Sequence, residues 1–349
     1  MNKHFKTLVN KYKGGVTSLL KVLIAVGLLI YLVSAVSFRE IISALNGANY
    51  FMVALACILS FLNIYLQYLK WKILCREVIE ESERKTVLNS LFYGFSAGII
   101  TPFRLGEYVG RALAFNEKKA LKVTLATLID KFFAFVPVFF IGAVASAVFL
   151  YIFYGIGIIL LSVLLILIFV SSFFYLYSVL KTDFWERLIV RLASGSRRLK
   201  GYTDGLKTFK LLSGRTSFEV SLNTFITYLT YIAQYGFLVA AFSNGYDITI
   251  YFWLGMLIFF AKAVIPPVTF GELGIRESAS VYFAVKLGLT SATGFNAAIF
   301  LFFINVLLPS LPGVALLFSS GSSLKLKALS AENKLETENK IAAEKILED

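Results

Sequence analysis

The residues best suited to chemistry in this chain occur twice, in one pattern. Pro102-Phe103-Arg104-Leu105-Gly106-Glu107-Tyr108-Val109-Gly110-Arg111 and Pro267-Val268-Thr269-Phe270-Gly271-Glu272-Leu273-Gly274-Ile275-Arg276 both obey P-x-x-x-G-E-x-x-x-R, at one offset of 165 residues. The chain holds only six prolines, so four such identities at one register mark two copies of an ancestral unit. Guanidinium groups bind phosphate or carboxylate bidentately and keep their charge in a low-dielectric cavity. Arg104, Glu107 and Arg111 are spaced three and four apart and share one face if helical. In the second copy Glu272 and Arg276 form an i, i+4 pair, Glu277 adds a carboxylate, and Lys262 stands nine residues before Gly271. This pattern suits a central polar site in which arginines recognise an anion such as a lipid phosphate. The carboxylates would hold the arginines, accept a cationic group or carry protons. The competing reading is that each Glu-Arg pair neutralises itself and pins its segment to the other half of the protein. Pro102, Gly106, Pro266, Pro267, Gly271 and Gly274 are read as shaping the tips of these segments.

The elements that must position these residues are membrane helices. The chain is 58% hydrophobic and 16% charged, against roughly a quarter charged in soluble domains; its mean hydropathy is +0.76. Val22–Phe38, Ile41–Leu69, Phe132–Leu180, Val220–Tyr246 and Leu287–Leu324 carry no charge, and a bilayer core needs about 20 apolar residues per helix. Crossings are expected over about 20–37, 49–69, 125–151, 157–180, 217–243 and 294–318, with a turn at Tyr154-Gly155-Ile156-Gly157 and a break near Asn305, Pro309 and Pro312. Lys70 and Trp71 read as an interface anchor at the end of the second crossing.

The motif-bearing segments have a different signature. Lys118, Lys119 and Lys122 follow the first motif, and Arg84 and Lys85 precede its apolar run, so that segment enters and leaves on one side. Residues 86–116 are therefore expected to form a re-entrant hairpin turning near Thr101-Pro102, and 250–288 a second one. The fold class is an all-α polytopic membrane protein with about six full crossings and two re-entrant hairpins, eight hydrophobic segments in all. Three crossings between the hairpins invert one relative to the other, the inverted-repeat plan of many secondary transporters. The expected units are a basic N-terminus 1–19, a first repeat 20–154, a second repeat 155–320 and a charged tail 321–349. The second repeat contains a basic loop, 181–215, in which Phe184, Trp185, Leu188, Ile189 and Leu192 suggest a helix on the membrane surface.

A net charge of +13 would suggest nucleic acid in a soluble protein. Here the basic residues sit between the spans, where positive-inside topology and anionic lipid account for them, so no nucleic-acid partner is expected. The same rule puts both termini in the cytoplasm, and an uncleaved first helix fits the N-terminal run better than a signal peptide. Two cysteines, Cys57 and Cys75, and one histidine, His4, build neither a disulfide framework nor a His/Cys metal site. HExxH, GxSxG and P-loop motifs are absent from the sequence, so neither catalysis nor a cofactor is implied.

Gly271-Glu272-Leu273-Gly274-Ile275-Arg276-Glu277 after Pro266-Pro267, its partner in the first half and the overall hydropathy resemble the flippase-like transmembrane region of lysylphosphatidylglycerol synthases, over about residues 15–320. In bifunctional members of that family, this region is thought to carry an aminoacylated phospholipid to the outer leaflet, while a soluble domain attaches the amino acid. Only about 30 polar residues follow the last span here, so lysyl transfer is not expected. The family also tends to carry a Glu-Arg pair shortly before an aspartate after the first motif. Here Ala126 and Thr127 precede Asp130, so the resemblance passes no role to Asp130.

Together these features lead to the expectation of a lipid translocase in the cell membrane, moving a phospholipid or lipid-linked headgroup between leaflets. Arg104, Glu107, Arg111, Lys262, Glu272, Arg276 and Glu277 would bind the headgroup. Two alternatives stand beside it. One is an accessory membrane protein that binds a lipid-linked substrate or partner enzyme through the basic loop 181–215. The other is an intramembrane lipid transferase.

Overall fold

The computed structural model describes residues 47–101, 104–115, 119–180, 212–243, 245, 247–265 and 274–316. Every regular element among them is helical. Five helices are long and apolar enough to cross a membrane: Tyr50–Ile79, Ala120–Tyr154, Ile158–Tyr177, Gly214–Phe242 and Ser291–Leu316. The expected crossing at 20–37, the surface helix at 184–192 and the C-terminal tail lie outside the described residues.

Helix α1, Tyr50–Leu74, starts where Asn49 Oδ1 accepts the backbone N–H groups of Phe51 and Met52. Its C-terminal end corrects the sequence reading. The helix does not stop near Leu69 but continues through a π-helical turn, Cys75–Ile79, ended by Glu80 in the left-handed region. Lys70 and Trp71 are therefore buried inside the protein, and neither is an interface anchor. The physical reason is apolar content beyond the lysines: Leu74, Cys75, Val78 and Ile79 pack against Val87, Leu91, Val123 and Ala126.

Helices α2 (Arg84–Ile100) and α3 (Gly106–Ala112) pack as a hairpin around the first motif. Glycine makes this approach possible: a Cβ on Gly106 would lie 2.1 Å from Ala97 O, and one on Gly110 2.4 Å from Tyr93 O. At the turn, Thr101 Oγ1 accepts the Gly106 N–H at 2.6 Å. Helix α4, Ala120–Tyr154, ends at Gly155 with φ +63°, and α5 begins at Ile158 and runs to Leu180, so the Tyr154–Gly157 turn falls where the sequence puts it. Helix α6 spans Gly214–Phe242, and α7, Ile248–Val264, is apolar but shorter than the crossing helices. Helix α8, Ile275–Lys286, follows the second motif, much of which lies outside the described residues.

Helix α9 begins at Ser291, and the expected break near Asn305 takes a specific form. Residues Phe303–Leu307 widen into a π-turn, and the helix then resumes to Leu316. The ring of Pro309 clashes with the Asn305 carbonyl, its i−4 neighbour in a straight α-helix, and Pro309 has no N–H to donate to it. Widening the preceding turn relieves both problems. Ile304 O then accepts a bond from Ser60 Oγ at 2.9 Å.

Two apolar clusters hold the bundle. One gathers Trp71, Leu91, Ile129, Phe133 and Val220; the other gathers Ala56, Ala145, Phe149, Tyr235, Leu257 and Leu301. Helices α1, α4 and α6 contribute to both, and each also lines a polar space in the middle of the bundle.

Candidate functional site

That polar middle is a cavity of about 220 Å³ whose wall includes Gln67, Lys70, Arg104, Glu107, Arg111, Asp130, Lys131, Tyr231, Lys262, Arg276 and Asn305. Its residues lie within about two helical turns of the midpoints of α1, α4, α6 and α9, which is where a site at membrane depth belongs.

Helix α3 places the central pair. Glu107 and Arg111 are one turn apart, 1% and 2% exposed, and joined at 2.5 Å. Arg111 Nη2 also meets Asp130 Oδ2 of α4 at 2.9 Å, and Lys70 Nζ of α1 reaches the other oxygen of Asp130 at 2.7 Å. Lys131 Nζ bonds Glu107 Oε2, and Arg104 Nε lies 3.5 Å from the same oxygen. Among the described residues, Lys70, Arg104, Arg111 and Lys131 thus gather on the carboxylates of Glu107 and Asp130. The Arg111 Nε and Nη1 groups are buried and make no hydrogen bond among the described residues. Instead the guanidinium lies 4.1 Å from the centroid of the Trp71 ring, a cation–π contact that fixes its plane.

Small residues on α2 make room for these side chains. A Cβ on Gly94 would sit 2.7 Å from Arg111 Cγ and 3.2 Å from Glu107 Cγ, and one on Gly98 3.4 Å from Arg104 Nε. Ser90 Oγ donates to the Arg111 carbonyl at 2.9 Å, tying the end of α3 to the same helix.

From the second half of the chain, Lys262 of α7 and Arg276 of α8 face the same cavity. Arg276 is 2% exposed, with its guanidinium 5.6 Å from the Phe302 ring centroid. Residues of both motif copies therefore share one chamber. Glu277 does not line it; its Oε2 accepts the Gly274 N–H at 2.6 Å and closes the start of α8, where Gly274 has φ +97°. Glu272, Pro102, Pro266, Pro267 and Gly271 lie outside the described residues. Among the described residues no cluster of His, Cys, Asp and Glu could hold a metal ion.

Three members of the cluster were missed by sequence reasoning: Lys70, Asp130 and Lys131. Asp130 carried a usable signal, since an acidic side chain within a membrane-length apolar helix is costly unless paired, by about 2.5–3.5 kcal/mol on insertion scales. Lys70 was disguised by its neighbours, because Lys-Trp-Lys at a helix end is the ordinary signature of an interface.

Beside the charged cluster runs a neutral network. Asn63 Nδ2 and Asn305 Nδ2 both donate to Gln234 Oε1, at 2.8 and 2.6 Å, and Gln234 Nε2 donates to Ala56 O at 2.9 Å. It ties α1, α6 and the π-turn of α9 together at the cavity wall.

Membrane-length helices around a buried, charge-lined chamber define an integral multi-pass membrane protein with an internal polar site. The model of the family described as lysylphosphatidylglycerol synthase TM region matches residues 18–313, and the chain belongs to that family. A search of curated proteins returns no match.

Proposed function

We propose that this protein binds the anionic, phosphate-bearing headgroup of a membrane lipid in the central cavity and moves that lipid between leaflets. The observation that carries the reading is the cluster of Lys70, Arg104, Arg111 and Lys131 around the carboxylates of Glu107 and Asp130 at the chamber wall, with Lys70, Arg111 and both carboxylates buried. Ionisable groups inside a membrane bundle ordinarily mark a substrate site, and a chamber lined by several guanidinium and ammonium groups suits an anionic ligand. Arginine suits phosphate because its planar fork makes two parallel hydrogen bonds, and Trp71 together with Asp130 and Glu107 holds that fork in place before the ligand arrives.

In this reading the α2–α3 and α7–α8 segments are the two re-entrant hairpins of an inverted repeat, and each brings its motif arginine to the shared chamber. The positive loops put both termini in the cytoplasm of a cell-membrane protein. The partner is lipid, and no step calls for a nucleophile, metal or cofactor.

The test is translocation of a fluorescent anionic phospholipid in proteoliposomes, scored by quencher access. Lys131→Gln and Arg276→Gln, verified as folded and inserted, are expected to slow transfer at least tenfold, or about 1.4 kcal/mol. Transfer at the native rate in both variants would sink the reading.

A further inference from the structure

A second space adjoins the polar chamber and differs from it in every chemical respect. It is an open cleft of about 960 Å³ between α4, α5 and α7, walled by apolar side chains such as Phe140, Val144, Val148, Phe169, Phe252 and Met256. The two spaces share two walls. Along α4, Ala134 and Val138 face the chamber and Ile141 and Val144 the cleft; along α7, Lys262 and Phe259 face the chamber and Met256 and Phe252 the cleft. The change takes two residues on α4, from Val138 to Phe140, and three on α7, from Phe259 to Met256, a rise of about 3–4.5 Å.

At that boundary the helices touch. Gly142 of α4 lies against Phe260 of α7, so closely that a Cβ on the glycine would be 2.4 Å from Phe260 Cβ, and the Phe139 and Phe260 rings are 6.1 Å apart. An aromatic neck thus separates a cationic chamber from an apolar trough along the same pair of helices. The outer wall of the trough is α5, which exposes Ile166 and Phe169 on the side where a bilayer would lie.

The geometry points to the α4–α5–α7 cleft as the seat of an acyl chain of the same lipid whose headgroup enters the chamber, with Phe260 at the neck between them. This rests on the headgroup reading of the chamber. In a phospholipid the phosphate and the start of each chain are joined by a three-carbon glycerol, so a phosphate held in the chamber obliges the chains to leave through its wall. On α7 the apolar trough begins at Met256, six residues or about 9 Å from Lys262, a span that the glycerol and the first carbons of a chain can cover. Chain and cleft match in polarity, and in length the cleft follows α4 from Phe140 to Ile152. A lipid seated this way keeps its chain in an apolar setting while its headgroup is inside the protein, which removes the largest cost of drawing the molecule out of its leaflet.

The test uses the full chain in nanodiscs and two probes, phosphatidylglycerol and phosphatidylcholine, each with a photoreactive group at the chain end. Binding of long-chain phosphatidylglycerol and of glycerol phosphate is measured alongside. Native protein is expected to cross-link through α4 and α7 peptides, more with phosphatidylglycerol than with phosphatidylcholine. Val144→Trp and Ser172→Trp, which fill the cleft from opposite walls, should each weaken long-chain phosphatidylglycerol at least tenfold while leaving glycerol phosphate unchanged. Ile159→Trp, at an exposed α5 position outside the cleft, should change neither. Using both walls keeps the test alive if one variant fails to fold.

Native long-chain affinity in both filled variants would overturn the cleft assignment and leave the headgroup reading standing. Equal labelling by both lipids would also overturn it, since the cleft would then hold only bulk lipid. So would labelling blocked by a cross-link from the chain's own apolar run, Val22–Phe38. Loss of glycerol phosphate and phosphatidylglycerol binding in the native protein itself would instead overturn the chamber reading on which this one rests.

Discussion

Arg111 on α3 and Asp130 on α4 meet at 2.9 Å in the interior of the bundle, and the same aspartate holds Lys70 of α1 through its other oxygen. One carboxylate therefore joins three helices. Removing it leaves two buried cations short of a partner, a change that costs about 3–5 kcal/mol in buried pairs. Asp130→Asn is expected to destabilise by that amount in chemical denaturation from detergent. The double variant Lys70→Met with Asp130→Asn should be less destabilised than the two single changes added together, because the methionine removes one of the stranded charges. Strict additivity would show that the two residues do not depend on each other.

The importance of Asp130 also shows where reading the sequence succeeds and where it stops. The five described crossings were legible because each contains a long charge-free run, and the turn at Gly155 because glycine tolerates the left-handed conformation found there. Arg104, Glu107, Arg111 and Arg276 were legible because the motif repeats, which needs no knowledge of packing. Lys70 and Lys131 were not, because what distinguishes them is a partner on another helix, and hydropathy treats a buried paired lysine and an interfacial one alike. The π-turn before Pro309 was legible only as a break; its shape depends on Ser60 reaching Ile304 O from α1.

Gly94 gives a sharper test of how tightly the arginine is held. A Cβ there would come within 2.7 Å of Arg111 Cγ, and that side chain is clamped between the Trp71 ring and the Glu107 carboxylate. It has little room to give. Gly94→Ala is expected to destabilise by about 1–3 kcal/mol through overpacking and to slow lipid transfer further than that loss explains. Gly157→Ala, where an added Cβ meets nothing within 4 Å, is the control and should leave both unchanged. Similar effects at the two positions would mean that Arg111 moves aside freely.

Just beyond the π-turn of α1, Glu80 and Glu81 are tied to the start of α4 by surface charges. Lys119 Nζ bonds Glu81 Oε2 at 3.1 Å, and Lys122 Nζ bonds Glu80 Oε1 at 2.7 Å. These hydrogen bonds hold both carboxyl groups below the usual glutamate range. A carboxyl whose folded pKa is depressed adds stability above its unfolded value, near 4.3, and that contribution is lost as pH falls through the folded value. The melting temperature of native protein should therefore exceed that of Glu81→Gln near neutral pH, with the gap closing as the pH drops below about 4. A gap independent of pH would assign the effect to packing and not to charge.

Trp71 separates the stability of the buried cluster from the anion binding proposed for it. Its ring is 1% exposed and supports the Arg111 guanidinium from one side at 4.1 Å, while Glu107 and Asp130 hold it at the edge. Desolvated cation–π contacts contribute about 2 kcal/mol, and the carboxylates are untouched when the ring is replaced. Trp71→Phe keeps an aromatic face and should retain most of the stability and transfer rate. Trp71→Leu keeps the apolar volume but removes the face, so the guanidinium is free to tilt about its carboxylate contacts. That variant is expected to fold and insert, with its affinity for glycerol phosphate down by roughly tenfold, equivalent to about 1.4 kcal/mol. If leucine binds the anion as well as phenylalanine does, the ring only fills space, and the orientation of Arg111 is set by Glu107 and Asp130 alone.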